Sequence, residues 1–192
     1  HNSISRSIRP KASENAPVEA QIGSPIPEKS GVWASCVHVI NAKKASVDSL
    51  LELGNNEAAL SVTTCQFRNR GAESFVCIGT SKGMTFLPKR SFECGFVHVY
   101  RIITNNSGSN KGLQLVHKTR VELGVPYAMC EFQGRLLVGI GNVLRLYDLG
   151  KKQLLRKCEA RSLSVMITSI HVCGDHIYVG DVNTGFQFCK YH

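Results

Sequence analysis

The chain repeats itself, and the repeat limits what it can fold into. Segments 67–80 (FRNRGAESFVCIGT), 132–141 (FQGRLLVGIG) and 172–181 (VCGDHIYVGD) each carry a turn and an apolar strand ending at glycine. Each leads into a further strand, GFVHVYRI, NVLRLYDL and GFQFCKYH respectively. Gly139 and Gly180 stand 41 residues apart, and Gly79 and Gly139 stand 60 apart. The longer spacing holds two insertions, SKGMTFLPKRSFEC and NNSGSNKG. A period of roughly 40 residues with four short strands is the pattern of β-propeller blades. Such a blade is a small twisted sheet that buries its faces only against its neighbours. Glycine at a strand end then permits close approach near the central channel.

The strands are legible one by one. WASCVHVIN, SFVCIGT, GFVHVYRIIT, LQLVHKTRV, RLLVGIG, NVLRLYDL, QLLRKC, TSIHVC, HIYVGD and GFQFCKY are β-branched or aromatic runs bounded by turn residues. In 143–148 the alternation puts Leu144 and Leu146 on one face and Arg145 and Tyr147 on the other. The stretch SVDSLLELGNNEAAL has Ser46 and Asp48 as possible helix caps but is interrupted by Gly54 and Asn55, so helix and strand both remain open there. The expected fold is all-β, a partial propeller of about four four-stranded antiparallel blades. That number is at or below what closes a ring alone.

Composition narrows the class. With 192 residues, 43% of them hydrophobic and 19% charged, the chain can bury a core of its own. No apolar run reaches the length of a membrane-spanning helix, and the first thirty residues lack the apolar core of a secretory signal. The eight cysteines, at 36, 65, 77, 94, 130, 158, 173 and 189, form no C-x-x-C pair and sit mostly within strand-like runs. Reduced thiols in a soluble, reducing compartment are expected, without disulfides or a bound metal. Residues 1–30 hold four of the six prolines among Ser, Asn, Arg and Lys, and read as a flexible tail or linker ahead of a propeller section over 31–192. Arg6, Arg9 and Lys11 are solvated charges of that tail unless a partner takes them up. The first residue is His1 and not methionine, as expected of a piece of a longer protein.

Catalytic patterns are sparse. His38, His98, His117 and His171 lie in strand-like runs with no second ligand at metal spacing, which suits solvent-facing or satisfied strand histidines. GIGN (139–142) lacks the third glycine and the helix of a nucleotide loop, and reads as a tight turn. The densest positive charge is Lys151, Lys152, Arg156 and Lys157, with Arg145 on the preceding strand. A hairpin turn at Gly150-Lys151 would set Arg145 beside Arg156 on an exposed face, ready for phosphates or an acidic partner. The same lysines equally serve to block edge pairing and keep the protein soluble. Only Tyr147 interleaves with them, so base stacking has little support. The net charge of +9 favours acidic partners without locating them.

The stretch 132–159, FQGRLLVGIGNVLRLYDLGKKQLLRKCE, resembles a known family. So, in order, do WASCVHVIN, LLELGNNEAALSV, GFVHVYRI, LVHKTRVE, HIYVGDV and FCKY, covering almost all of residues 31–192. The family is that of subunit three of splicing factor 3b, a large propeller component of the U2 small nuclear ribonucleoprotein. Two related families share its architecture, the damaged-DNA-binding adaptor of cullin ligases and the large cleavage and polyadenylation specificity subunit. The wording of YDLGKKQLLRKCE favours the splicing family. The chain departs from it at Asn183-Thr184-Gly185 and in VELGVPYA, which is one residue longer.

The resemblance implies a non-catalytic scaffold without cofactor, supporting pre-mRNA splicing in the nucleus through protein–protein contacts. It implies the HEAT-repeat subunit one and the small subunit five of the same complex as partners, and a place within the third of three seven-bladed propellers, toward the C-terminal part of the full protein. It transfers no contact residue. The alternatives are a basic RNA-binding module using Arg145, Lys151, Lys152, Arg156 and Lys157, a propeller adaptor of either related type, and an enzyme working in a propeller funnel, for which no nucleophile, base and orienting group recur at strand ends.

Overall fold

A computed structural model describes residues 29–104, 110–122, 124–161 and 165–191; nearly all of the expected tail, 1–30, lies outside them. The described residues form thirteen strands and no helix. Two complete four-stranded sheets stand at the centre. The first contains β3 (Glu57–Gln66), β4 (Ser74–Lys82), β5 (Cys94–Thr104) and β6 (Asn110–Val121), paired in chain order. The second contains β7 (Pro126–Phe132), β8 (Arg135–Ile140), β9 (Val143–Leu149) and β10 (Leu154–Ala160). A two-stranded sheet of β1 (Cys36–Asn41) and β2 (Ser46–Glu52) precedes them, and a three-stranded sheet of β11 (Ile167–Cys173), β12 (His176–Asp181) and β13 (Gly185–Lys190) follows. Every pairing is antiparallel. This is the expected arc of propeller blades, and 46–60, open to either reading by sequence, is a strand, a turn and a strand.

The repeat has a structural meaning at its glycines. Gly79, Gly139 and Gly180 each lie on the second strand of a sheet, opposite Ser61, Ala128 and Ser169 of the first strand. Immediately before each of those small residues the first strand is bulged, between Ala59 and Ser61, Pro126 and Ala128, and Ile167 and Ser169. A bulge bends and twists the strand, and the small pair leaves room for the next sheet. A Cβ on Gly79 would lie 2.6 Å from the carbonyl oxygen of Pro126, and one on Gly139 would lie 2.9 Å from Cβ of Ile167. In both cases the obstacle belongs to the first strand of the following blade.

Close approach gives two cores. Cys65, Phe75, Val97 and Val99 of the first four-stranded sheet meet Leu136, Val138, Ile140, Tyr147 and Leu149 of the second. The other face of the second sheet, with Ala128, Leu137, Leu144 and Leu146, packs on Ile167, Ile177 and Val179 of the third. The alternation expected in β9 is therefore present, but neither face is wet: all seven residues of β9 are buried. At one end the Ile167 N–H of the third sheet donates to the Gly141 carbonyl of the second (2.7 Å), while the Gly141 N–H donates to the Val125 carbonyl within its own blade (3.2 Å).

Gly139→Ala is expected to destabilise the fold by about 1–3 kcal/mol, because the added methyl overpacks a contact that cannot move without shifting the next blade. Gly54→Ala is the control, since nothing lies within 4 Å of where its methyl would stand. Thermal unfolding of the two variants should show a lowered midpoint for the first alone.

Candidate functional site

Two polar assemblies have residue types that could carry chemistry, and the first is buried. On the face of β3–β6 opposite the Val97 and Val99 core, Glu57 accepts hydrogen bonds from Thr80 Oγ1 (2.9 Å) and His98 Nε2 (2.8 Å) and pairs with the Lys118 ammonium. The Tyr100 hydroxyl lies 3.1 Å from His98 Nδ1. Burial alone would raise the Glu57 carboxyl, but donation from His98, Lys118 and Thr80 outweighs it and lowers the pKa to about 2. Lys118 also sits 4.0 Å over the Phe96 ring. Glu57, Thr80 and His98 are all buried, so the group has the residue types of a nucleophile–base arrangement without access for a substrate. What it does is join four strands through one satisfied carboxylate. His98 is thus a satisfied strand histidine, whereas nothing in the linear sequence marked Glu57, Thr80 or Lys118.

The second assembly is the basic hairpin, and here the expected geometry is corrected. The connection between β9 and β10 is not a two-residue turn at Gly150-Lys151. It runs from Gly150 to Gln153, closed by Gly150 N–H donating to the Gln153 carbonyl at 3.1 Å. The longer loop places Arg156 opposite Tyr147, and a bulge between Arg156 and Cys158 then brings Glu159 opposite Arg145. Arg145 is 4% exposed, donates to Glu159 Oε2 (2.9 Å) and lies 3.4 Å from the Tyr147 hydroxyl. It is an internal brace and not part of an exposed basic face.

Glu159 also binds Arg156 (3.1 Å) and Arg161 (2.7 Å), and the Arg161 guanidinium is the leading reason why its carboxyl titrates below the usual range. One carboxylate therefore serves three guanidinium groups. Lys151, Lys152, Arg156 and Lys157 are exposed, so four of the five residues expected at the surface are there.

The loop is tied to the preceding blade. Asn69 Nδ2 and Arg70 Nη2 donate to the carbonyls of Leu149 (2.7 Å) and Gly150 (3.2 Å), and Leu154 N–H donates to Thr119 Oγ1 (2.9 Å). Beneath this junction His117 is buried, and neither ring nitrogen has a partner among the described residues. Burial, reinforced by the Arg70 charge, lowers its pKa. Of the other strand histidines, His38 lies 3.1 Å from Cys36 Sγ and His171 is exposed. Among the described residues no group of three or more His, Cys, Asp or Glu side chains gathers as a metal would require. All eight cysteines are unpaired thiols; burial raises the Cys77 thiol to about 12 and pushes Cys65 higher still.

Comparison with known proteins adds what the geometry alone does not. The family described as the CPSF A subunit region matches residues 34–192. Spliceosome-associated protein 130 A of Arabidopsis thaliana is 50% identical over 173 residues, which is 90% of this chain and 14% of the relative. Splicing factor 3B subunit 3 of Danio rerio is 43% identical over 178 residues, 93% of this chain and 14% of the relative. Pre-mRNA-splicing factor RSE1 of Pyricularia oryzae is 42% identical over 171 residues, 86% of this chain and 14% of the relative. The resemblance carried by 132–159 and its companion motifs is borne out by these similarities. The chain spans about one seventh of the length of each of these relatives.

Two outcomes are expected. Arg145→Leu removes the buried brace and strands the Tyr147 hydroxyl, at a cost of about 1–3 kcal/mol, while the Lys151→Ala, Lys152→Ala double variant stays within about 0.5 kcal/mol of the parent; urea unfolding distinguishes them. His117 favours its neutral form in the fold, so its contribution is complete above the unfolded value of 6.5 and is lost as the pH falls below it. His117→Gln should flatten the decline in stability between neutral and mildly acid pH measured by the same method.

Proposed function

Because the chain belongs to the family described as the CPSF A subunit region, we propose that it is a section of a larger propeller scaffold acting in pre-mRNA splicing. It works by holding protein partners and carries out no catalytic step. The observation that carries this reading is the state of its two ends. On the outer face of β11–β13, His171, Tyr178 and Phe188 lie side by side in register, with Phe186 in the neighbouring row. Phe186 is 77% and Phe188 75% exposed. At the other end of the arc Ile40 is 65% and Leu50 43% exposed. Apolar sheet faces of this kind belong under another layer. A trough of about 120 Å³ opens between the second sheet, at Leu144, Leu146, Cys158 and Ala160, and Ile177 and Cys189 of the third, which has three strands where the two complete sheets have four. Further blades covering both ends account for all three features.

The names of the relatives supply the setting. We read the assembly as the splicing factor 3b complex of the U2 small nuclear ribonucleoprotein, in the nucleus, with the HEAT-repeat subunit one and the small subunit five as partners. Lys151, Lys152, Arg156 and Lys157 form the outward basic edge of the second complete blade, a surface suited to an acidic partner. Arg145 supports that edge from within.

The test is to express residues 31–192 alone and measure mass by light scattering together with thermal unfolding. The bare ends should make the piece self-associate. A monodisperse monomer with one cooperative transition would overturn the open-arc reading in favour of a self-contained β-domain.

A further inference from the structure

The insertion between β4 and β5 stands outside the four-stranded sheets, yet it is firmly built. It rises as a short hairpin in which Thr85 and Ser91 exchange backbone hydrogen bonds (2.9 and 3.0 Å) and bring their hydroxyls to 2.7 Å. Its base is anchored by Met84, buried against Ala58 and Val125. The Trp33 indole N–H donates to the Met84 carbonyl (2.6 Å), and the Trp33 ring meets Phe86 edge-on at 6.1 Å. The descending arm is fixed by Arg90, which lies 5.9 Å over the Tyr127 ring and 2.7 Å from Met166 Sδ. Hairpin, Tyr127 and Met166 belong to three successive blades.

At the tip the chemistry reverses. Phe86 is 51% exposed, Leu87 70% and, on the descending arm, Phe92 40%. Val165 and Val182, 62% and 60% exposed, flank Met166, whose carbonyl accepts the backbone N–H of Val182 at 3.1 Å. These residues sit in loops at the same end of the strands. The cations around them outnumber available carboxylates. Lys89 and Arg120 make no ion pair among the described residues, against one unpaired carboxylate, Glu122, which shares with Arg120 the cleft of about 440 Å³ beside Phe92. By contrast Glu93 is paired with Lys82 at 3.1 Å. Desolvation would raise the Asp181 carboxyl, but the backbone N–H groups of Asn183, Met166, Val165 and Thr184 commit it and hold its pKa at about 2.

We propose that this hairpin is a docking finger that engages an acidic segment of a partner protein, inserting Leu87 and Phe86 against an apolar anchor of that segment while Lys89 meets its carboxylates. A finger fixed at its base loses little freedom on binding, so its exposed apolar surface is available for affinity. The complementarity is with carboxylates through Lys89; of the two exposed rings of the finger Phe86 is already met edge-on by Trp33, and a single ring, Phe92, is a poor platform for successive bases. The finger has this character whichever assembly contains the blades.

The experiment places the photo-reactive p-benzoyl-phenylalanine at Leu87 of the full-length protein in cells, with Lys44 in the exposed turn between β1 and β2 as the control position. Cross-linked peptides are identified by mass spectrometry. The expected result is a cross-link from position 87, several-fold above the control, to a segment of another protein rich in Asp and Glu around an apolar residue. Lys89→Glu should reduce its yield several-fold without moving the thermal midpoint. Cross-linking to nucleic acid, to a basic or uncharged segment, to this same protein, or no yield above the control would overturn the proposal. So would a yield indifferent to Lys89→Glu.

Discussion

The arc depends on how closely one blade can approach the next at its inner strands. Gly79 and Gly139 lie where any side chain would strike the first strand of the following blade, and the bulges before Ser61, Ala128 and Ser169 bend that strand into place. Apolar burial supplies the favourable free energy, but burial is not directional. The narrow contact at these positions is what decides how the sheets face each other, and with it which side chains of β8 and β9 enter which core.

Where a strand is buried on both faces, as β9 is throughout, its polar groups cannot turn to water. They have to be satisfied inside, and the chain does so with carboxylates that each serve several donors. Glu57 serves Thr80, His98 and Lys118, and Glu159 serves Arg145, Arg156 and Arg161. Both assemblies look reactive by composition and are structural by position. His117 is the exception, a buried ring without a partner among the described residues, at the junction where Asn69 and Arg70 grip the hairpin of the next blade.

Much of this was readable in the sequence because a propeller writes its period into its glycines. The second strand of each blade announces itself by an apolar run ending at Gly79, Gly139 or Gly180. The first strands are harder to see. In β7 Pro126 meets Gly79 and Ala128 stands opposite Gly139, and a proline and an alanine at those places erase the alternation that marks a strand. β2 and β3 are rich in Leu, Glu and Ala, which suit a helix as well as a strand until a partner strand decides. The basic hairpin failed at its register: adding Lys152 and Gln153 to the loop, and a bulge beyond it, exchanged the neighbour of Arg145 from Arg156 to Glu159. The Glu57 cluster joins residues from four strands, and no local pattern connects them.

The grip of Arg90 on Met166 changes how the blades communicate. In a stack where each unit touches only its neighbours, loosening travels inward from an end one unit at a time, and the middle of the array is insulated from its margin. Here the insertion of the first complete blade reaches past the blade between them to the loop that enters the three-stranded sheet. The loop that leads into that last sheet is thus tied at one exposed point two units back, a single light strut laid across a chain of links.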